Sequence, residues 1–183
     1  MPESCKVTLT ELAAHFSVGK EASLQQKYPN QKHFLLFYPE GDAPPPISWT
    51  SGLNQVPNGA TTQLGSLNRI LQIKQFANPR VVVQPVKKKT SDPNKRYVSL
   101  GRDNSNDIQI LSPQVSRFHA ALYPDETLLI QNLKSTNGIA LNGIDAFGDS
   151  KYHLQSMTEI KVGDIRFTYL QLSDLIEVVN MLS

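Results

Sequence analysis

The sequence predicts an all-β protein, an antiparallel β-sandwich of short strands with an N-terminal extension before it and a short C-terminal helix after it. Three observations predict this. From Arg80 onward, short runs of three to seven residues rich in apolar side chains alternate with clusters of Asp, Asn, Pro and Gly, the rhythm of strands joined by turns. Before residue 80, shorter apolar segments are separated by polar stretches rich in structure breakers. At the end, Leu175, Ile176, Val179 and Leu182 recur at helical spacing.

Taken in order, the elements have local reasons. Thr10 is placed to cap a short helix carrying Leu12, Ala13 and Phe16 and ending by Gly19. The compact apolar run His33 to Tyr38 precedes Pro39 and is too short for a helix, so it reads as a buried strand. Pro44-Pro45-Pro46 stops regular structure, and residues 48–66, rich in Gly, Asn, Thr and Ser, read as a loop or linker. Leu71, Ile73 and Phe76 then resume an alternating pattern. Strands are expected at Val81–Val83, Tyr97–Leu100, Ile108–Leu111, Phe118–Tyr123, Leu128–Leu133, Ile139–Leu141, Tyr152–Leu154, Glu159–Val162 and Arg166–Leu172. A helix capped by Ser173 or Asp174 follows. The division this implies is residues 1–79 as an extension packed on the sandwich, with a flexible loop near 41–66, then 80–172 as the sandwich and 173–183 as the helix. Phe16, Phe34, Phe37 and Trp49 give the extension something to pack with, yet too little for a core of its own.

Composition narrows the function classes. A net charge of +2 gives no bulk electrostatic case for nucleic acid, and the Lys87-Lys88-Lys89 run reads as a solvated turn. One cysteine, Cys5, precludes an intrachain disulfide or a thiolate zinc site, and the four histidines (His15, His33, His119, His153) lack metal-ligand spacing. No metal and no cofactor are expected. The first twenty residues lack the continuous apolar core of a secretory signal, and no segment reaches the ~18 apolar residues that span a bilayer. No membrane association is expected, and an intracellular location is.

Chemistry concentrates in three loops. The first runs from Leu100-Gly101-Arg102 through Asp103 to Asp107. Gly101 frees the backbone to turn, and Arg102 offers a planar, permanently charged fork suited to an oxyanion; its alternative is surface pairing with Asp103 or Asp107. The second, Ser112 to Arg117, ends before a strand opening Phe118-His119-Ala120. Its serine hydroxyl and backbone N–H groups are candidate donors to a phosphate, while His119 reads as a hydrogen-bonded pin rather than a catalyst. The third, Lys134-Ser135-Thr136-Asn137-Gly138, is either a self-bonded turn in which Gly138 supplies positive φ, or a turn that also presents an Asn amide to an extended peptide. Ser116 and His119 do not make a hydrolase. Their spacing should point them to different surfaces, no acidic residue completes a triad, and no Gly-x-Ser-x-Gly elbow is present. No catalytic residue is assigned.

Gly-Arg, Asn-Asp-Ile, Val-Ser-Arg-x-His, Ser-Thr-Asn-Gly and Leu-Asn-Gly, in that order among short strands, closely resemble the forkhead-associated (FHA) domain. The resemblance covers roughly residues 80–172 and includes the closing stretch from Leu154 to Phe167. It implies recognition of phosphothreonine in an extended peptide of a partner protein. Arg102 matches the phosphate-contacting arginine, Ser116 the hydroxyl donor, Arg117 a neighbouring contact and Thr136 a position near the phosphate. Asn137 matches the amide that holds the peptide backbone, and Gln114 lies in the loop that helps choose the residue following phosphothreonine. Gly101, His119 and Gly138 correspond to positions that shape the site without touching ligand. The resemblance further implies an intracellular signalling or assembly role, with the nucleus favoured over the cytoplasm. The alternative is the same fold used as a scaffold or dimerisation subunit independent of phosphate, with further partners bound through residues 1–79.

Overall fold

A computed structural model of the chain describes residues 7–15, 20–38, 80–89 and 94–182. Strand β1 (Val7–Thr8) leads into helix α1 (Leu9–His15), and helix α2 (Lys20–Lys27) precedes strand β2 (His33–Phe37). Ten strands follow: β3 (Val82–Pro85), β4 (Val98–Gly101), β5 (Ile108–Gln109), β6 (Ala120–Pro124), β7 (Leu128–Asn132), β8 (Ile139–Leu141), β9 (Ile144–Ala146), β10 (Lys151–Leu154), β11 (Glu159–Val162) and β12 (Ile165–Gln171). Helix α3 (Leu172–Met181) continues directly from β12. Cys5, Phe16, Gly19, the triple proline, Trp49, the expected loop at 41–66 and the pattern at Leu71–Phe76 lie outside the described residues.

The strands form two sheets, ordered β1-β3-β2-β12-β11-β8-β9 and β10-β7-β6-β4-β5. The sandwich expected from the sequence is therefore present, with one departure from antiparallel pairing: β4 and β5 are parallel, Leu100 opposite Ile108. Leu35, Leu100, Leu122, Ile130, Ile160, Phe167 and Tyr169 fill the space between the sheets.

A second apolar cluster lies on the other face of the larger sheet. There Phe34, Leu36, Val83 and Leu170 meet Leu9 and Leu12 of α1, Leu24 of α2, and Leu175, Val178 and Val179 of α3. The continuous apolar character of β2 follows from this layering. Leu35 points into the sandwich while Phe34 and Leu36 point toward the helices, so both faces of the strand are covered. β2 pairs with β3 on one side and β12 on the other, Leu35 lying opposite Gln84 and Tyr169. A strand from the first forty residues is thus interior to the larger sheet.

Several local expectations change, and β1 and α2 are elements the sequence reading did not include. The cap of α1 is Thr8, not Thr10: Glu11 N–H donates to Thr8 Oγ1 at 3.2 Å, and Thr8 N–H donates to Glu11 Oε2 at 2.8 Å, a reciprocal capping box. Helix α3 starts earlier than expected, with Gln171 at its N-cap and no side-chain cap bond. The Leu172 N–H is instead taken by the Lys32 carbonyl at 3.0 Å. Strand β9 was not expected at all; Asn142 (φ 49°) and Gly143 (φ 79°) form the tight turn that brings it back onto β8.

Candidate functional site

The loops leaving β4, entering β6 and entering β8 come together at one end of the sandwich. Two backbone bonds tie the first to the second: Arg102 N–H to the Ser116 carbonyl at 2.9 Å and Asp103 N–H to the Arg117 carbonyl at 3.2 Å. The third joins through Thr136 N–H, which donates to Ser116 Oγ at 3.1 Å, and through Asn137 Nδ2, which donates to the Gln114 carbonyl at 2.8 Å and to Gln114 Oε1 at 2.9 Å.

Gly101 is required for a reason other than turning. A Cβ there would collide with the Arg117 carbonyl oxygen and lie 2.9 Å from Asn106 Nδ2. Only a residue without a side chain lets the two arginine-bearing loops approach so closely. Gly138 does adopt positive φ, 66°, with open space around it. Gly163 (φ 62°) packs under the second loop, where a Cβ would lie 2.5 Å from the Gln114 carbonyl oxygen.

His119 is fully buried and connects the loops. Its Nδ1 accepts the Ser116 N–H at 3.0 Å, and its Nε2 lies 2.8 Å from the Gly138 carbonyl oxygen. An amide N–H can only donate and a carbonyl can only accept, so the ring is neutral with its proton on Nε2. Burial pushes its pKa below the ordinary value, against the raising effect of the Gly138 carbonyl. Ser116 and His119 are neighbours here, contrary to the separate surfaces their spacing implies. The ring nevertheless engages the serine's backbone N–H, not its hydroxyl, so it does not activate a nucleophile.

Arg102, Arg117, Thr136 and Asn137 are exposed and Ser116 half-buried. Arg102 Nε donates to the Val115 carbonyl at 3.2 Å, leaving the two terminal nitrogens of the fork for a ligand. Among the described residues Arg102 makes no ion pair with Asp103 or Asp107. The bond that Ser116 Oγ accepts leaves its own proton available to donate. Both Asn137 N–H groups are engaged by Gln114, leaving Oδ1 as an acceptor.

Two residues that the sequence presents only as part of a motif hold the first loop. Asn106, fully buried, donates from Nδ2 to the Arg117 carbonyl at 2.6 Å and to the Asp103 carbonyl at 2.9 Å. Asp107 accepts from Ser99 N–H (2.8 Å), Ser99 Oγ (3.0 Å), Lys89 N–H (2.9 Å) and Lys95 Nζ (2.5 Å). Burial works to raise the Asp107 pKa, but these donors outweigh it and hold the carboxyl below the usual range. A buried Asn and Asp in a polar loop are indistinguishable in sequence from exposed turn residues. Among the described residues, no group of three or more His, Cys, Asp or Glu is placed to hold a metal ion.

The FHA domain family model matches residues 98–163. No curated protein matches the chain. Solved structures to which it is similar include the FHA domain of the CT664 protein from Chlamydia trachomatis, at 15% identity and TM-score 0.46, covering 76% of this chain and 96% of that one. Another is the N-terminal FHA domain of S. cerevisiae Rad53p in complex with a phosphothreonine peptide, at 23% identity and TM-score 0.43, covering 54% and 90%. A third is Mycobacterium tuberculosis EmbR in complex with a low-affinity phosphopeptide, at 24% identity and TM-score 0.42, covering 60% and 30%.

Proposed function

We propose that the region matched by the FHA domain family model, residues 98–163, is a phosphothreonine-dependent interaction module that recruits a phosphorylated partner in intracellular signalling or assembly. The carrying observation is the convergence of Arg102, Ser116, Thr136 and Asn137 through direct bonds between their loops. A phosphothreonine is close to a dianion at neutral pH and presents three acceptor oxygens. The free end of the Arg102 fork and the Ser116 hydroxyl are donors to it, with Arg117 and Thr136 beside them. Asn137 Oδ1 accepts an N–H from the peptide main chain. The charge-assisted bonds contribute about 1.5–3 kcal/mol each, consistent with an affinity on the order of micromolar, about −8 kcal/mol.

Calorimetric titration of the full chain with a degenerate phosphothreonine peptide pool tests this, with phosphoserine and unphosphorylated pools as controls. Binding is expected only to the phosphothreonine pool, abolished by Arg102→Ala and strongly weakened by Asn137→Ala. Equal binding of the unphosphorylated pool would replace this reading with the phosphate-independent scaffold.

A further inference from the structure

The two flanks of the candidate groove differ in charge. On the flank beyond the Arg102 loop, Lys89 is held in place twice. Its N–H donates to Asp107 Oδ1 at 2.9 Å, and its Nζ donates to the Asn104 carbonyl at 3.0 Å, two residues along from Arg102. An ammonium carries three donors, so that bond leaves two, and the side chain is exposed. A carbonyl partner does not neutralise it. Lys95, by contrast, is paired with Asp107 and adds no free charge.

The opposite flank, at Gln114, carries a carboxylate. Gln114 N–H donates to Ser112 Oγ at 3.1 Å, and Ser112 Oγ in turn donates to Asp164 Oδ1 at 2.5 Å. Asp164 is exposed and follows Gly163, which packs against the Gln114 main chain. The uncharged Gln114 is thus linked through its main chain and Ser112 to a carboxylate, while its side-chain Oε1 accepts from Asn137. Between the flanks, Asp103 is bonded by Ser105 N–H (3.0 Å) and Ser105 Oγ (2.7 Å) and lies within electrostatic reach of Arg117 and Arg102. It offsets charge at the centre and does not alter the difference between the ends. Lys134, on the third loop, faces Asp149 at 3.8 Å, both well exposed.

We propose that this groove takes partners whose acidic residues lie on the amino-terminal side of the phosphothreonine, at Lys89, and that it does not reward acidic residues on the carboxyl-terminal side, at Gln114 and Asp164. The inference rests on the phosphothreonine reading, in which Gln114 flanks the residue after the phosphothreonine and the opposite flank takes the residues before it.

The test is calorimetry on the full chain with three phosphothreonine peptides of one parent sequence: two Glu on the amino side, two Glu on the carboxyl side, or none. The amino-acidic peptide should bind about threefold tighter than the neutral one, the scale of an exposed ion pair. The carboxyl-acidic peptide should bind no tighter than neutral. Lys89→Ala should erase the amino-side advantage and Lys89→Arg retain it. Asp164→Asn should improve the carboxyl-acidic peptide alone. Thermal melts verify that each variant folds. Preference for the carboxyl-acidic peptide, or an amino-side advantage that survives in folded Lys89→Ala, overturns the proposal. Equal binding of all three overturns the charge asymmetry while leaving phosphothreonine recognition intact. Binding of none of them overturns the underlying reading and the proposal with it.

Discussion

Replacing His119 with alanine separates the part of the site that is scaffold from the part that meets a ligand. The ring has no exposed surface, accepts the Ser116 N–H at 3.0 Å and engages the Gly138 carbonyl at 2.8 Å. Truncation orphans both partners. Each belongs to a half-buried residue, so water partly compensates and the cost falls at the low end, about 1 kcal/mol apiece. Loss of the ring's buried carbon surface adds about 1 kcal/mol, for a total of about 3 kcal/mol. With a urea slope of about 2 kcal/mol per molar, the unfolding midpoint should fall by about 1.5 M at pH 7.5.

A second measurement isolates the ring from its packing. The folded-state pKa of His119 is depressed by burial below the ordinary 6.5. Its contribution to stability is therefore full above that value and is lost as pH falls through it toward the folded value. His33 behaves the same way, its pKa lowered by burial and its ring held between the Tyr169 hydroxyl and the Asp125 carbonyl, each at 2.8 Å. Wild-type stability should drop between pH 7.5 and 5.5, and His119→Ala should drop less steeply while keeping the His33 portion. A midpoint within about 0.3 M of wild type, or an unchanged pH slope, would refute the pinning role.

Two further substitutions extend the reasoning. Gly101→Ala forces a methyl group against the Arg117 carbonyl and should cost about 1–3 kcal/mol by urea unfolding. It should also weaken phosphothreonine-peptide binding in calorimetry, whereas Gly138→Ala, strained only by its φ of 66°, should cost about 1 kcal/mol; equal effects on binding would contradict the close-approach argument. Leu35→Ala removes a fully buried side chain of β2 from the core between the sheets and should cost about 2–5 kcal/mol within a single thermal transition. A second, separate transition would show that β2 is not part of the same cooperative unit.

The legible parts of this chain are those where local pattern and tertiary role coincide. The strands after residue 80 were bounded by their own turn residues, and β2 was legible because both of its faces are covered. Helix α2 had no such signal: among its described side chains Leu24 meets the outer core, and the segment Lys20–Lys27 has no apolar residues at helical spacing. The capping box at Thr8 and Glu11 was present in the sequence, but Thr10 sits in the same window and offers the same hydroxyl. At the site, the exposed donors were readable from residue type. The buried polar frame of Asn106 and Asp107 was not, because the partners that enclose it come from other segments: Lys89, Lys95 and Ser99 on Asp107, and the Arg117 carbonyl on Asn106. Gly101 shows the same limit, since the atom that excludes a side chain belongs to Arg117 on another loop.

The interior placement of β2 has a consequence for the order in which the molecule assembles. His33 and its hydroxyl partner Tyr169 are separated by 136 residues along the chain, so a vectorially synthesised polypeptide presents the apolar β2 long before β12, which covers one of its two edges. Contacts of such range are slow to close, and an unpaired apolar strand is a template for aggregation meanwhile. The earliest-made strand of the larger sheet's interior is thus fully paired only when β12 arrives, with β3 and the short helices beside it as its nearer cover.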